Sequence, residues 1–248
     1  MEECFGMTKQ QEQRTRGRSS KVMAISCVLG LIAAVFIGLL INNATAGTRF
    51  ESEIIAINDA FSSGNQQKID EVLSRTVSAG NYARVETSLK SYVSDLVKNI
   101  NGIKEVTDNE AVYDSLEGEY LAKNIDKLDE TIATLTEASK KVDTLTEDAK
   151  KLYDEESVKA YVSDQNLGEN YTNLFVENAK LFYDDASLRD DYNNTLSLLR
   201  GSIKVEIEAI EFLKNHKSDW KIVNGRLEFK NDNISKQYTK ILEKVANN

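Results

Sequence analysis

The chain has 248 residues, a formal net charge of −9, no proline, two cysteines and a single histidine. Ordinary usage would give about a dozen prolines in this length. Those counts exclude collagen-like, proline-rich and disulfide-scaffold classes, and they leave only His216 for a histidine-based metal site or triad.

Residues 1–21 form a basic leader carrying Arg14, Arg16, Arg18 and Lys21. No charge occurs from Val22 to Thr48, and Val22 to Ile41 is apolar apart from Ser26, Gly30 and Gly38. Twenty helical residues span about 30 Å, the thickness of a hydrocarbon core. A buried core helix rarely runs so long without a polar face. The positive-inside rule puts residues 1–21 in the cytoplasm, because four basic residues lie just before the span and Arg49, Glu51 and Glu53 follow it. The expected organisation is a leader (1–21), a transmembrane signal anchor (22–41), a linker (42–49) and an extracytoplasmic helical domain (50–248). Ala44-Thr45-Ala46 before Gly47 has the small-x-small form of a signal-peptidase site. Cleavage after Ala46 would instead give a secreted product. The apolar stretch is longer than a usual signal core, which favours the anchor. Cys4 would then be cytosolic and Cys27 would lie in the bilayer, leaving no cysteine in the exported part.

The segment beyond residue 46 carries 26 basic and 37 acidic residues, near −11. Such a surface argues against nucleic acid and anionic lipid as partners. Helical periodicity dominates it. Phe50, Ile54, Ile57 and Phe61 predict a first helix, stopped by Ser62-Ser63-Gly64-Asn65. Ile69, Val72, Leu73 and Val77 predict a short second one, and Ala79-Gly80-Asn81 a break. Tyr82, Val85, Leu89, Tyr92, Leu96, Ile100, Ile103 and Val106 make one stripe of a long third helix. The most regular stripe runs from Leu121 through Ile125, Leu128, Leu135, Ala138, Val142 and Leu145 to Leu152, and predicts one uninterrupted helix. Within it, Thr134-Leu-Thr-Glu-Ala-Ser-Lys-Lys is echoed by Thr144-Leu-Thr-Glu-Asp-Ala-Lys-Lys. This helix suits either a bundle within the chain or a coiled-coil seam for a partner.

A short helix around Val158, Tyr161 and Val162 should end near Asn166-Leu167-Gly168. Another carries Tyr171, Leu174, Phe175, Leu181 and Phe182, with an interruption expected at Asp184 and Asp185. The stripe from Leu188 to Leu213 contains Gly201, read as a point where another helix approaches closely. Trp220 to Phe229 predicts a β-hairpin on an Asn224-Gly225 type I′ turn. In that register Trp220 faces Phe229 and Ile222 faces Leu227. Asn231-Asp232-Asn233 can cap a last helix bearing Ile234, Tyr238, Ile241 and Val245. The fold class is therefore all-α: an elongated antiparallel helical bundle with one transmembrane helix, a small hairpin (220–229) and a final helix.

Little in this chain points to reaction chemistry. His216 falls where a helix should end, suited to capping carbonyls. Asp184, Asp185, Asp190 and Asp191, and Asp154-Glu155-Glu156, fall at helix junctions and lack the alternating spacing of a calcium loop. There is no glycine-rich phosphate loop, nucleophile elbow or HExxH. Asn43, Asn170, Asn193 and Asn233 match glycosylation sequons, which matter only in a eukaryotic secretory pathway. No catalytic, cofactor or metal residue is expected, and the chain is not expected to be an enzyme.

The basic leader, the single span, the Gly80-Asn81-Tyr82…Val85-Glu86…Lys90…Tyr92 opening of the first long helix and the closing Trp220…Asn224-Gly225…Phe229…Tyr238 segment together carry a resemblance. The layout resembles membrane-anchored, exported helical proteins of unknown function from Gram-positive bacteria. That resemblance transfers no binding or catalytic residue. The expected role is binding of a protein or cell-envelope partner, with residues 22–41 in the membrane and the oligomeric state open. Ligand sensing with a membrane partner is the alternative; residues 1–21 are too short to be an output domain.

Overall fold

The computed structural model describes residues 48–184 and 186–244, without the side chains of Thr48, Leu181, Phe182, Ser187 and Leu188. Arg14, Arg16, Arg18, Lys21, the 22–41 segment, Ala44, Ala46, Asp185 and Val245 lie outside the described residues. Helix accounts for 79% of the description. Ten helices and one two-stranded sheet follow in order: α1 (Thr48–Ser62), α2 (Gln66–Ser74), α3 (Asn81–Thr107), α4 (Glu110–Asp114), α5 (Gly118–Asn124), α6 (Leu128–Leu152), α7 (Glu155–Ser163), α8 (Glu169–Tyr183), α9 (Ala186–Asn215), β1 (Trp220–Val223), β2 (Arg226–Phe229) and α10 (Asp232–Leu242). Among the described residues no helix is long and apolar enough to cross a membrane.

The stop signals act through identifiable contacts. Gly64 takes φ +62°, a conformation with little cost for glycine, and Asn65 then caps α2 by accepting from the Lys68 amide at 3.2 Å. Asp154 caps α7 from the Ser157 amide, and Asn231 caps α10 from the Ile234 amide. The α7–α8 turn places Asn166, not Gly168, in the left-handed region. Asp184 separates α8 from α9. In the hairpin Asn224 and Gly225 have φ +52° and +71°, the signature of a type I′ turn. Its register pairs Trp220 with Phe229 and Ile222 with Leu227.

Three sequence expectations are corrected. The stripe from Leu121 to Leu152 is not one helix; it breaks at residues 125–127. Asn124 donates its side-chain amide to the Tyr120 carbonyl, and the Lys127 amide folds back onto the Asn124 carbonyl. Local side-chain bonding of this kind competes with helix propagation. Val77 does not continue α2 but belongs to the segment after it, which forms neither helix nor strand. Gly201 meets no close neighbour: a Cβ there would find nothing within 4 Å. The close approaches are at Gly102, where a Cβ would lie 2.6 Å from Leu145 Cδ2, and at Gly118, where it would lie 2.0 Å from the Gly225 carbonyl oxygen. Helix α4 was not foreseen; five residues are too few for a stripe, although Asn109 caps it through the Ala111 amide.

The described residues fall into two compact units, and the boundaries between them lie inside α3, α6 and α9. The first unit comprises residues 48–102, 145–184 and 186–194. Its core joins Phe50, Ile57 and Phe61 of α1 to Val72 of α2, Val85, Leu89 and Tyr92 of α3, Leu152 of α6, Val158 of α7 and Phe175 of α8. The Tyr92 hydroxyl donates to the Leu152 carbonyl, and Tyr192 donates to Asn99 Oδ1, whose amide in turn reaches the Leu145 carbonyl. The second unit comprises residues 103–144 and 195–244. Ile103, Leu121, Leu135, Val142, Leu196, Ile203, Ile210 and Leu213 are among its fully buried aliphatics. The hairpin closes over α5 and α10, and Trp220 Nε1 donates to the Leu213 carbonyl at the end of α9.

Candidate functional site

The first unit holds a network of four charged side chains, three of them buried. Glu53 comes from α1, Arg75 from the residue ending α2, and Glu86 and Lys90 from adjacent turns of α3. Glu53, Glu86 and Lys90 are 3%, 0% and 3% exposed, while Arg75 is exposed. Lys90 Nζ donates to Glu53 Oε1 at 2.6 Å, to Glu86 Oε1 at 2.8 Å and to the Arg75 carbonyl at 2.8 Å. The Arg75 guanidinium grips Glu53 with two bonds of 2.9 Å. Glu86 also accepts from the Ser78 amide at 2.8 Å and the Val77 amide at 3.0 Å.

Two carboxylates face two cations, so the cluster is neutral as a whole. Burial alone would raise the Glu53 carboxyl, but hydrogen bonds from Arg75 and Lys90 outweigh it and hold the group below its ordinary value. Burial likewise opposes Glu86, and bonds from Lys90, Ser78 and Val77 hold it below the ordinary value too. The bond to Glu53 raises Arg75 further. An ammonium has three N–H donors, and in Lys90 each has a partner within the protein. This arrangement leaves no lone pair on Lys90 for attack. Its chemistry is to hold α1, the end of α2 and α3 in one geometry.

A second polar knot lies in the other unit. Glu206, 2% exposed on α9, accepts from Ser115 at 2.9 Å through one oxygen and from Ser202 at 3.0 Å through the other. In the same unit a groove along α3 and α6 is lined by Glu105, Val106, Ala133, Glu137, Ala138 and Lys141. Lys141 pairs there with Glu105, and Lys140 with Glu137 at 2.8 Å.

The residues singled out in the sequence are not drawn together. His216 follows α9, stacks on Phe212 at 4.2 Å between centroids, and its Nδ1 lies 2.9 Å from the Phe212 carbonyl. A carbonyl only accepts, so Nδ1 carries the proton there. Asp154 caps α7, and its bonds from the Ser157 amide and hydroxyl lower its carboxyl. Glu155 and Glu156 both pair with Lys159. Among the described residues no group of three His, Cys, Asp or Glu side chains could hold a metal ion. The tyrosines mostly pack on one another: Tyr82 meets Tyr171 edge-on at 5.2 Å, and Tyr92 meets Tyr161 at 5.4 Å.

Sequence reasoning gave no site role to Glu53, Arg75, Glu86, Lys90 or Glu206, although it quoted Glu53 for the topology and Glu86 and Lys90 for the resemblance. Four of the five left a readable trace. Glu53 falls between Phe50 and Ile57 on the buried stripe of α1, and Glu206 between Ser202 and Ala209 on that of α9. Glu86 and Lys90 stand four apart beside Val85 and Leu89. Charges inside an apolar register are paired when buried. Arg75 left none, since it sits beyond a helix end.

No protein-family model, curated protein or solved structure matches the chain.

Proposed function

We propose that the chain is a single-pass, extracytoplasmic helical protein that acts by binding a protein or envelope partner. One observation carries the binding reading: the buried ionisable clusters are spent on internal contacts. Glu53, Glu86 and Lys90 bond one another and the adjoining backbone, and Glu206 receives two serine hydroxyls. Charged helix faces and a few large apolar side chains remain for contact with other molecules. Among the described residues the exposed large apolar groups are Ile55, Tyr113 and Leu198. The anchored topology is supported by the uncharged run from Val22 to Thr48 after Arg14, Arg16, Arg18 and Lys21. The net charge of the exported segment, near −11, favours a neutral or basic partner surface.

The experiment is photo-crosslinking in intact cells from groups placed at Ile55, Tyr113 and Leu198. The expected product is an adduct with a protein or envelope polymer. Absence of adducts from all three positions, together with turnover by the purified protein, overturns the binding reading. The N-terminal residue of the mature chain tests the anchor separately. Met1 is expected; Gly47 would show cleavage after Ala46 and a secreted product.

A further inference from the structure

Residues 75–80 join α2 to α3 without forming helix or strand. The backbone of this segment is held by two side chains of α3: Glu86 takes the Val77 and Ser78 amides, and Lys90 takes the Arg75 carbonyl. Apolar anchoring is slight, because Val77 is only half-buried and Thr76, Ala79 and Gly80 are exposed. The helices around it are attached differently. Phe50 and Ile57 of α1, Val72 of α2 and Leu89 of α3 share one apolar core.

These two kinds of attachment answer to different variables. Apolar burial is indifferent to protons, whereas a carboxylate that accepts amides and an ammonium is not. We infer that residues 75–80 form an acid-opened latch: protonation of Glu86 and Glu53 frees the segment while α1, α2 and α3 stay packed. The charged groups facing it are Glu53 from α1, Glu71 from α2, Arg75 within the segment, and Glu86 and Lys90 from α3. Glu71 stands 3.8 Å from Arg75 and is well exposed, so it adds little. With both buried carboxyls neutral, Arg75 and Lys90 are left as neighbouring like charges, which pushes the segment outward. The opening lies below the ordinary carboxylate range, because the network holds both acids ionised. This inference is independent of the proposed binding role.

Hydrogen–deuterium exchange on the full chain in detergent micelles tests it, with rates corrected for intrinsic pH dependence. The Val77 and Ser78 amides should lose protection at least about tenfold in acid, at a pH where Ile57 and Leu89 keep theirs. Glu86→Gln should make both amides exchange fast at neutral pH and abolish their response to acid. Lys90→Met should move the opening to higher pH, since the carboxylates lose their shared counter-charge. Retention of protection at Val77 and Ser78 until Ile57 and Leu89 also open would overturn the latch. So would slow exchange in Glu86→Gln at neutral pH. Should that variant fail to fold, the wild-type pH series decides by itself.

Discussion

Lys90 is the residue on which the charge balance of the first unit turns. Its removal leaves Glu53 and Glu86 buried with only Arg75 to answer them. Lys90→Met should therefore lower stability by about 3–5 kcal/mol, the usual consequence of stranding a buried charge. Replacing Glu53, Glu86 and Lys90 together by apolar residues of similar volume should lower it far less, because no charge is left stranded. Urea unfolding of the two variants reads the difference; equal losses would mean that the network acts through packing rather than charge. The existence of such a network was half legible in the sequence. Glu86 and Lys90 advertise a pair by their spacing, and Glu53 interrupts an apolar stripe. Their meeting could not be read, since it depends on how α1 docks against α3.

Two glycines differ sharply in the room their helices leave them. Gly118 opens α5, and a methyl group there would collide with the Gly225 carbonyl at 2.0 Å. Backbone on both sides cannot yield as a flexible side chain does. Gly118→Ala should displace the hairpin and cost about 1–3 kcal/mol, with a changed Trp220 fluorescence as its signature. Gly201 is helical and a methyl group there meets nothing within 4 Å. Gly201→Ala should raise stability by roughly 0.5–1 kcal/mol through helix propensity. Thermal unfolding of the pair should show shifts of opposite sign. The sequence singled out Gly201 but misjudged its role, and Gly118 drew no notice. Helical position told that Gly201 sat in a stripe, not whether a neighbour came close. Elements with strong local signals were legible: α3 by its long stripe, the hairpin by Asn224-Gly225, α10 by the Asn231 cap. The break after Asn124 was not, because Ile125 and Leu128 keep the apolar rhythm across it.

Across the whole molecule, stability should respond to both acid and base. Glu53 and Glu86 lie below their ordinary carboxyl values in the fold and return to about 4.3 when unfolded. Their contribution is complete above that value and is lost as pH falls through the depressed folded values. Tyr92 and Tyr192 run the other way. Burial, with Tyr153 adding, pushes both hydroxyls well above their ordinary value of about 10. That contribution is complete below about pH 10 and is lost as pH rises toward the folded values. Urea midpoints followed by circular dichroism should be level between about pH 5 and 9 and fall on either side; a profile flat into strong acid or base would contradict the linkage. What the sequence withheld at this scale was partnership. The stripes of α3, α6 and α9 each read as a single face, yet each helix divides its residues between two compact units. The buried network also has a mechanical meaning. Glu53 stands in the second turn of α1, so tension entering at Thr48 is transferred to α3 through Lys90 almost at once. Pulled from that end, the helix gives up Phe50 first but cannot then peel residue by residue into Ile57 and Phe61. Between the two it must shear a set of short ionic bonds together, so load entering at the start of α1 is shared with α3 and the end of α2 before Ile57 is reached.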